Sequence, residues 1–217
     1  MIADRPLGLS TGRAFAVVTM AWLALALYTN ERVLPPEVLV RIVGRGGGPQ
    51  MTSAQLDLMQ HRGRLAYLFF PIFLAVRVAV TALVLHMFSM LLAATLPYRI
   101  LFRASLWGFV AVLYGMFLRT FRIDLLGSAS VTRHDLGVVP DSLAALLLTP
   151  DQSMSVLYSA LSLVSVHDTL WIGIVSGLLV GFSNVRLRVG LTIAGGAWAA
   201  TAIARFGLHT LTVGLIG

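Results

Sequence analysis

Residues 169–183 read TLWIGIVSGLLVGFS, from Thr169 to Ser183, with no charge in fifteen positions and a loop bearing Arg186 and Arg188 beyond. Trp171 stands near one end, where the headgroup belt of a bilayer holds indole rings. Gly173, Gly177 and Gly181 recur every four residues and therefore share one helix face. In water such glycines would weaken a helix. In lipid, missing side chains let a neighbouring helix come close, and that packing drives association. The next apolar segment carries a small-residue face of its own, Ala194, Ala197, Ala200 and Ala204. We read residues 169–183 as a membrane span and its glycines as a helix-packing seam to the last span.

Composition supports the same reading along the whole chain. The 217 residues are 58% hydrophobic and 12% charged, about half the charge of an ordinary soluble domain. Repeated apolar segments near helix-spanning length point to an all-α polytopic bundle; barrel strands would be roughly ten residues of alternating polarity. The net charge of +7 rests on 16 arginines without a lysine, a codon bias that suggests a GC-rich bacterium and hence an inner-membrane location. These arginines form no basic stripe interleaved with aromatics, so anionic lipid headgroups are the expected partner and nucleic acid is not. Without cysteine or lysine the chain has no disulfide, thiolate metal site, Walker loop or Schiff-base chemistry. No cofactor and no metal is expected.

Taken in order, Ala14–Tyr28 is a first span; Ala24-Leu25-Ala26 resembles a signal-peptidase site, but we read the span as uncleaved. Pro35-Pro36 opens a weakly amphipathic piece that ends in a glycine linker around Gly44–Gly48, and Thr52 or Ser53 is placed to cap the helix that follows. Leu65–Leu96 is the second span, with Pro71 as a kink point. A basic turn bearing Arg99 and Arg103 precedes a third span, Ala104–Leu118. The connection 123–153 contains DSLAALLLT, nine residues capped by Asp141, too short to cross and read as an interfacial or re-entrant helix. Residues 153–166 form a separate short helix, and the last spans are 169–183 and 189–208. The whole is one domain of five spans, with six as the alternative. Six arginines lie in the short segments on one side with Asp4 as the sole acid, so the positive-inside rule places that side, and the N-terminus, in the cytoplasm.

Arg77 is the sharpest candidate for function. An intramembrane arginine is costly and invites a lipid-phosphate or anion contact, or a buried pair with Asp168; the simpler reading has it snorkel to headgroups. Arg99, Arg103, Arg186 and Arg188 are the further lipid- or anion-binding candidates. His86 is a possible proton relay, or a neutral histidine bonded to a neighbouring helix, which we prefer. His167-Asp168 reads as a helix cap in preference to a metal anchor, and Arg205 with His209 as an interfacial anchor. Ser176 before Gly177 faintly echoes an intramembrane serine nucleophile, without a placeable histidine.

Two stretches, LPYRILFRASLWGFVAVLY (96–114) and LSLVSVHDTLWIGIVSGLLVGFSNVRLRVG (161–190), resemble the Yip-domain (Ypt-interacting protein) family in its bacterial form. They share its basic turn opening a small-residue span, and its polar break, Thr-aliphatic-Trp step and arginine turn; Asp168 stands where an aromatic is expected. The resemblance implies a five-span, non-enzymatic bundle with a cytoplasmic N-terminus. Our reading is a membrane scaffold or accessory subunit that meets lipids and other membrane subunits. The alternative is a transport component moving an anion, lipid or proton along Arg77, His86 and Asp168.

Overall fold

The computed structural model describes residues 10–45, 53–127, 129–152 and 155–216, with the side chains at 43–45, 53–66, 133 and 208–216 outside that description. Helix α1 (Thr11–Tyr28) begins at Ser10, whose hydroxyl accepts from the Arg13 N–H, and runs on through a π-turn at Thr29–Val33. Helix α2 (Pro36–Arg45) has proline at its first position, where a missing N–H costs nothing. The glycines at 46–48 and the Thr52 cap expected before the next helix lie outside the described residues. Helix α3 (Ser53–Leu91) passes through Pro71, and α4 (Tyr98–Leu126) follows. Three short helices, α5 (Arg133–Gly137), α6 (Leu143–Leu147) and α7 (Val156–Ser162), precede α8 (Val166–Ser183) and α9 (Leu187–Ile216).

Five helical segments are long and apolar enough to cross a membrane: Thr11–Val33, Tyr67–Leu91, Tyr98–Leu126, Val166–Ser183 and Leu187–Gly207. The protein is an all-α, polytopic membrane protein. The face of α3 shows why. Phe69, Ile72, Phe73, Val76, Val80, Leu83 and Met87 are exposed, while Leu74, Val78, Ala82 and Leu85 are buried. A helix apolar on both faces packs one against its neighbours and leaves the other for lipid tails.

Helix α4 is central, because it enters all three packed clusters. Leu101 and Ala104 join Ala82, Leu85, Val175, Leu179, Ile193 and Ala197 of α3, α8 and α9. Leu106 and Phe109 join Ala14, Val18, Leu74 and Val78 of α1 and α3. Ile123 joins Val33, Leu34, Val38, Ile42 and Val131, the core of a cap beyond the bundle built by α2 and the α4–α8 connection. Successive spans run antiparallel, so the turns 92–97 and 184–186 share one end and the cap forms the other.

Several expected boundaries move. The second span stops at Leu91, where Ala93 at φ 53° turns the chain and the Ala94 N–H reaches the Ser89 carbonyl. Arg99, Arg103 and Arg119 therefore lie within α4 rather than in turns. Asn184, in the left-handed region, ends α8, a conformation asparagine tolerates. The expected nine-residue helix of DSLAALLLT is five residues long, and Ser142, not Asp141, caps it.

The glycine seam is not where the four-residue spacing puts it. Gly173, Gly177 and Gly181 are exposed, and a methyl group added at any of them would meet nothing within 4 Å. The buried face of α8 is Asp168, Val175, Ser176 and Leu179. Close approaches occur instead at Gly190, where an added carbon would come 3.1 Å from the Ser176 carbonyl, at Gly108 against Trp171, and at Gly196 against Phe88. Of the facing alanines, Ala194 and Ala197 are buried but Ala200 and Ala204 are exposed. Spacing identifies which residues share a face. It does not say which face meets a helix, and here the bulkier side chains fill the interface.

Candidate functional site

Helices α3, α4, α8 and α9 enclose a partly open cavity of about 650 Å³, within the usual size of a small-molecule site and between helices of a bundle, where such sites occur. Its walls are apolar for the most part, with Val80, Val84, Phe109, Val112, Trp171, Ala197 and Trp198, and its polar residues are Arg77, Thr81, Ser105, His167, Asp168, Thr201 and Arg205. At 1.5 Å rise per residue, Arg77 is about 21 Å from the end of α3 at Leu91, and Asp168 about 22 Å from the end of α8 at Ser183. The cavity therefore runs through the middle of the bundle, from Val84 and Ser105 to His167 and Asp168 on the side of the cap.

Each wall is fixed locally. The Arg77 guanidinium carbon stands 5.2 Å from the centre of the Phe109 ring, a cation–π arrangement that holds the charge beside an apolar wall. One turn on, the Thr81 hydroxyl donates to the Arg77 carbonyl, and across the interface the Ser105 hydroxyl donates to that of Val78. Ser165 caps α8: its Oγ accepts from the Asp168 N–H at 3.1 Å and donates to Asp168 Oδ2 at 2.6 Å. Asp168 thereby sits in the first turn, where the helix dipole favours a carboxylate.

His167 links the cavity to the cap. Its Nδ1 is 2.8 Å from Asp141 Oδ2, which also accepts the His167 backbone N–H at 2.8 Å. A single antiparallel bridge, Ser142 to Ser165, braces this junction. The ring rests on Gly115, where any side chain would approach it to 2.9 Å.

Within the cap, Arg122 and Asp135 form a charged pair. Arg122 donates to the carboxylate and carbonyl of Asp135, at 2.9 and 3.2 Å, and Asp135 closes a capping box with Thr132. Burial pushes the Asp135 carboxyl up, but the bonds from Thr132 and Arg122 outweigh it and hold it below the ordinary carboxylate value. The cavity differs. Among the described residues neither Arg77 nor Arg205 forms an ion pair, and the nearest basic group to Asp168 is His167 Nε2 at 3.8 Å.

Of the residues singled out from the sequence, Arg77 and Asp168 share this cavity, though not as the buried pair considered above. Arg205, expected as an interfacial anchor, is exposed and lines it too; the side chain of His209 lies outside the described residues. His86 is elsewhere, its ring 6.4 Å from that of Tyr98 and its buried Nδ1 without a hydrogen bond, so the preferred hydrogen-bonded reading fails at that nitrogen. Arg99, Arg186 and Arg188 are exposed at the opposite end, with Arg103 5.1 Å over the Phe182 ring. Ser176 is buried and donates to the Ile172 carbonyl. The sequence reading gave Arg205 and Asp141 other roles and did not single out Trp198; the available signal was a second arginine inside an apolar run. No protein-family model, curated protein or solved structure matches this chain.

Proposed function

We propose that this membrane protein binds an anionic group inside its bundle, as the binding site of a carrier or transport component. The observation that carries the reading is the presence of Arg77 and Arg205 on one cavity with no acid among the described residues paired to either. Both residues are exposed, but holding two like charges close together beside the apolar walls of a membrane bundle is costly, and a phosphate or carboxylate between them offsets that cost through charge-assisted bonds. We take the function as binding rather than catalysis. The exposed Arg99, Arg186 and Arg188 would meet anionic headgroups at the cytoplasmic face of a bacterial inner membrane, which also puts the N-terminus inside.

The test is binding of phosphatidylglycerol to the full chain in a maltoside detergent, followed by native mass spectrometry. Exchanging both Arg77→Gln and Arg205→Gln should weaken it at least tenfold; an unchanged affinity would sink the reading. A second reading, a Yip-like scaffold or accessory subunit, is favoured by the open glycine face of α8, since small residues on a lipid-facing helix suit a partner helix. On that reading Gly177→Leu abolishes co-purification of a partner without unfolding the protein.

A further inference from the structure

Opposite charges line the cavity without meeting. Arg77 comes from α3, Arg205 from α9 and Asp168 from α8, and no guanidinium is paired with the carboxylate. Asp168 is 9% exposed. One of its oxygens, Oδ2, accepts the Ser165 hydroxyl and has His167 Nε2 at 3.8 Å, while Oδ1 accepts from no described group, and the residue lines the cavity. A carboxylate offers about four acceptor sites, so most of its capacity is unused. His167, the neighbouring ring, is engaged by Asp141 through Nδ1 and by its backbone N–H. Trp171 lies one turn from Asp168 on the same wall.

Resting on the anion-site reading above, we infer that the ligand is a zwitterion: its phosphate or carboxylate sits between Arg77 and Arg205, and its ammonium sits on Asp168. A simple anion entering this cavity gains from the arginines and is repelled by Asp168. A ligand with a cationic end turns that repulsion into a charge-assisted hydrogen bond, and an indole beside it adds cation–π attraction. The volume of about 650 Å³ exceeds what a lone phosphate needs and leaves room for two charged ends. The same chemistry exists in a phosphoethanolamine lipid headgroup and in a soluble zwitterion.

The full chain in maltoside is titrated with phosphatidylethanolamine, phosphatidylglycerol and soluble O-phosphoethanolamine, with affinity read from thermal stabilisation. The wild type should prefer phosphatidylethanolamine at least tenfold over phosphatidylglycerol. Competition by O-phosphoethanolamine assigns a soluble zwitterion, and its failure to compete assigns the lipid; either upholds the class. Asp168→Asn should erase the preference while phosphatidylglycerol still binds, and a preference retained in that folded variant overturns Asp168 as the ammonium partner. Equal wild-type affinity for the two lipids, with both lost in Arg77→Gln/Arg205→Gln, overturns the zwitterion and leaves the anion site standing. Binding indifferent to the arginine pair overturns both. Should Asp168→Asn fail to fold, the wild-type comparison decides alone.

Discussion

The cap and the cavity treat charge in opposite ways. In the cap, Arg122 and Asp135 bond each other, and Thr132 completes the set. In the cavity, Arg77, Arg205 and Asp168 come from three helices, and among the described residues neither arginine pairs with an acid, while Asp168 has only His167 Nε2 at 3.8 Å. A paired set stabilises the fold, because each member satisfies the other's desolvated groups. Arginines without an acid partner gain no such ion pair, and the proposed ligand would supply it. His167 is where the two regimes join, since its ring faces the cavity while Asp141 of the cap holds it.

The largest effect should come from breaking that junction. Gly115→Leu would drive a side chain into the His167 ring and off Asp141, and overpacking of this kind costs about 1–3 kcal/mol, with the lost hydrogen bond in addition. The control is Gly177→Leu, whose added side chain meets open space; its change should stay within about 0.5 kcal/mol. Melting temperatures in one detergent decide between them, and equal losses would restore a seam at Gly177.

Next comes the paired set. Arg122→Leu should cost about 2 kcal/mol by leaving the Asp135 carboxylate short of a partner. The pH dependence has a fixed sign. A carboxyl held below its ordinary value contributes stability that is present above about pH 4 and is lost as pH falls through the depressed value. The gap between wild type and Asp135→Asn should therefore be full at pH 7 and shrink below about pH 4; a gap independent of pH would dismiss the pair as a stabiliser. The smallest effect on the fold belongs to the cavity. Arg77→Gln should leave stability within about 0.5 kcal/mol in lipid-free detergent while weakening ligand binding, and a loss comparable to that of Arg122→Leu would erase the contrast drawn above.

How much of this was legible depended on the kind of signal. Apolar runs revealed all five spans, because crossing lipid requires a length of helix whatever its neighbours are. The break before α8 was also legible, though the sequence reading put its cap at His167-Asp168 and the structure puts it at Ser165. The glycine face misled because periodicity is a property of one helix, while an interface is a property of two. Arg205 was assigned to the headgroups because its sequence position lies near the end of the last apolar run; its place opposite Arg77 follows from α3 and α9 running antiparallel through Phe88 and Gly196.

By itself, then, the sequence determined an all-α membrane bundle of about five spans and the presence of costly charges within it, since each follows from the transfer of local segments between water and lipid. Only the tertiary structure decided which side chains meet. It turned the glycines of α8 outward, set Arg77, Arg205 and Asp168 around one cavity, and bound Asp141 to His167 across 26 positions of chain. Those are contacts between elements distant in sequence, fixed by how bulky faces interlock in three dimensions.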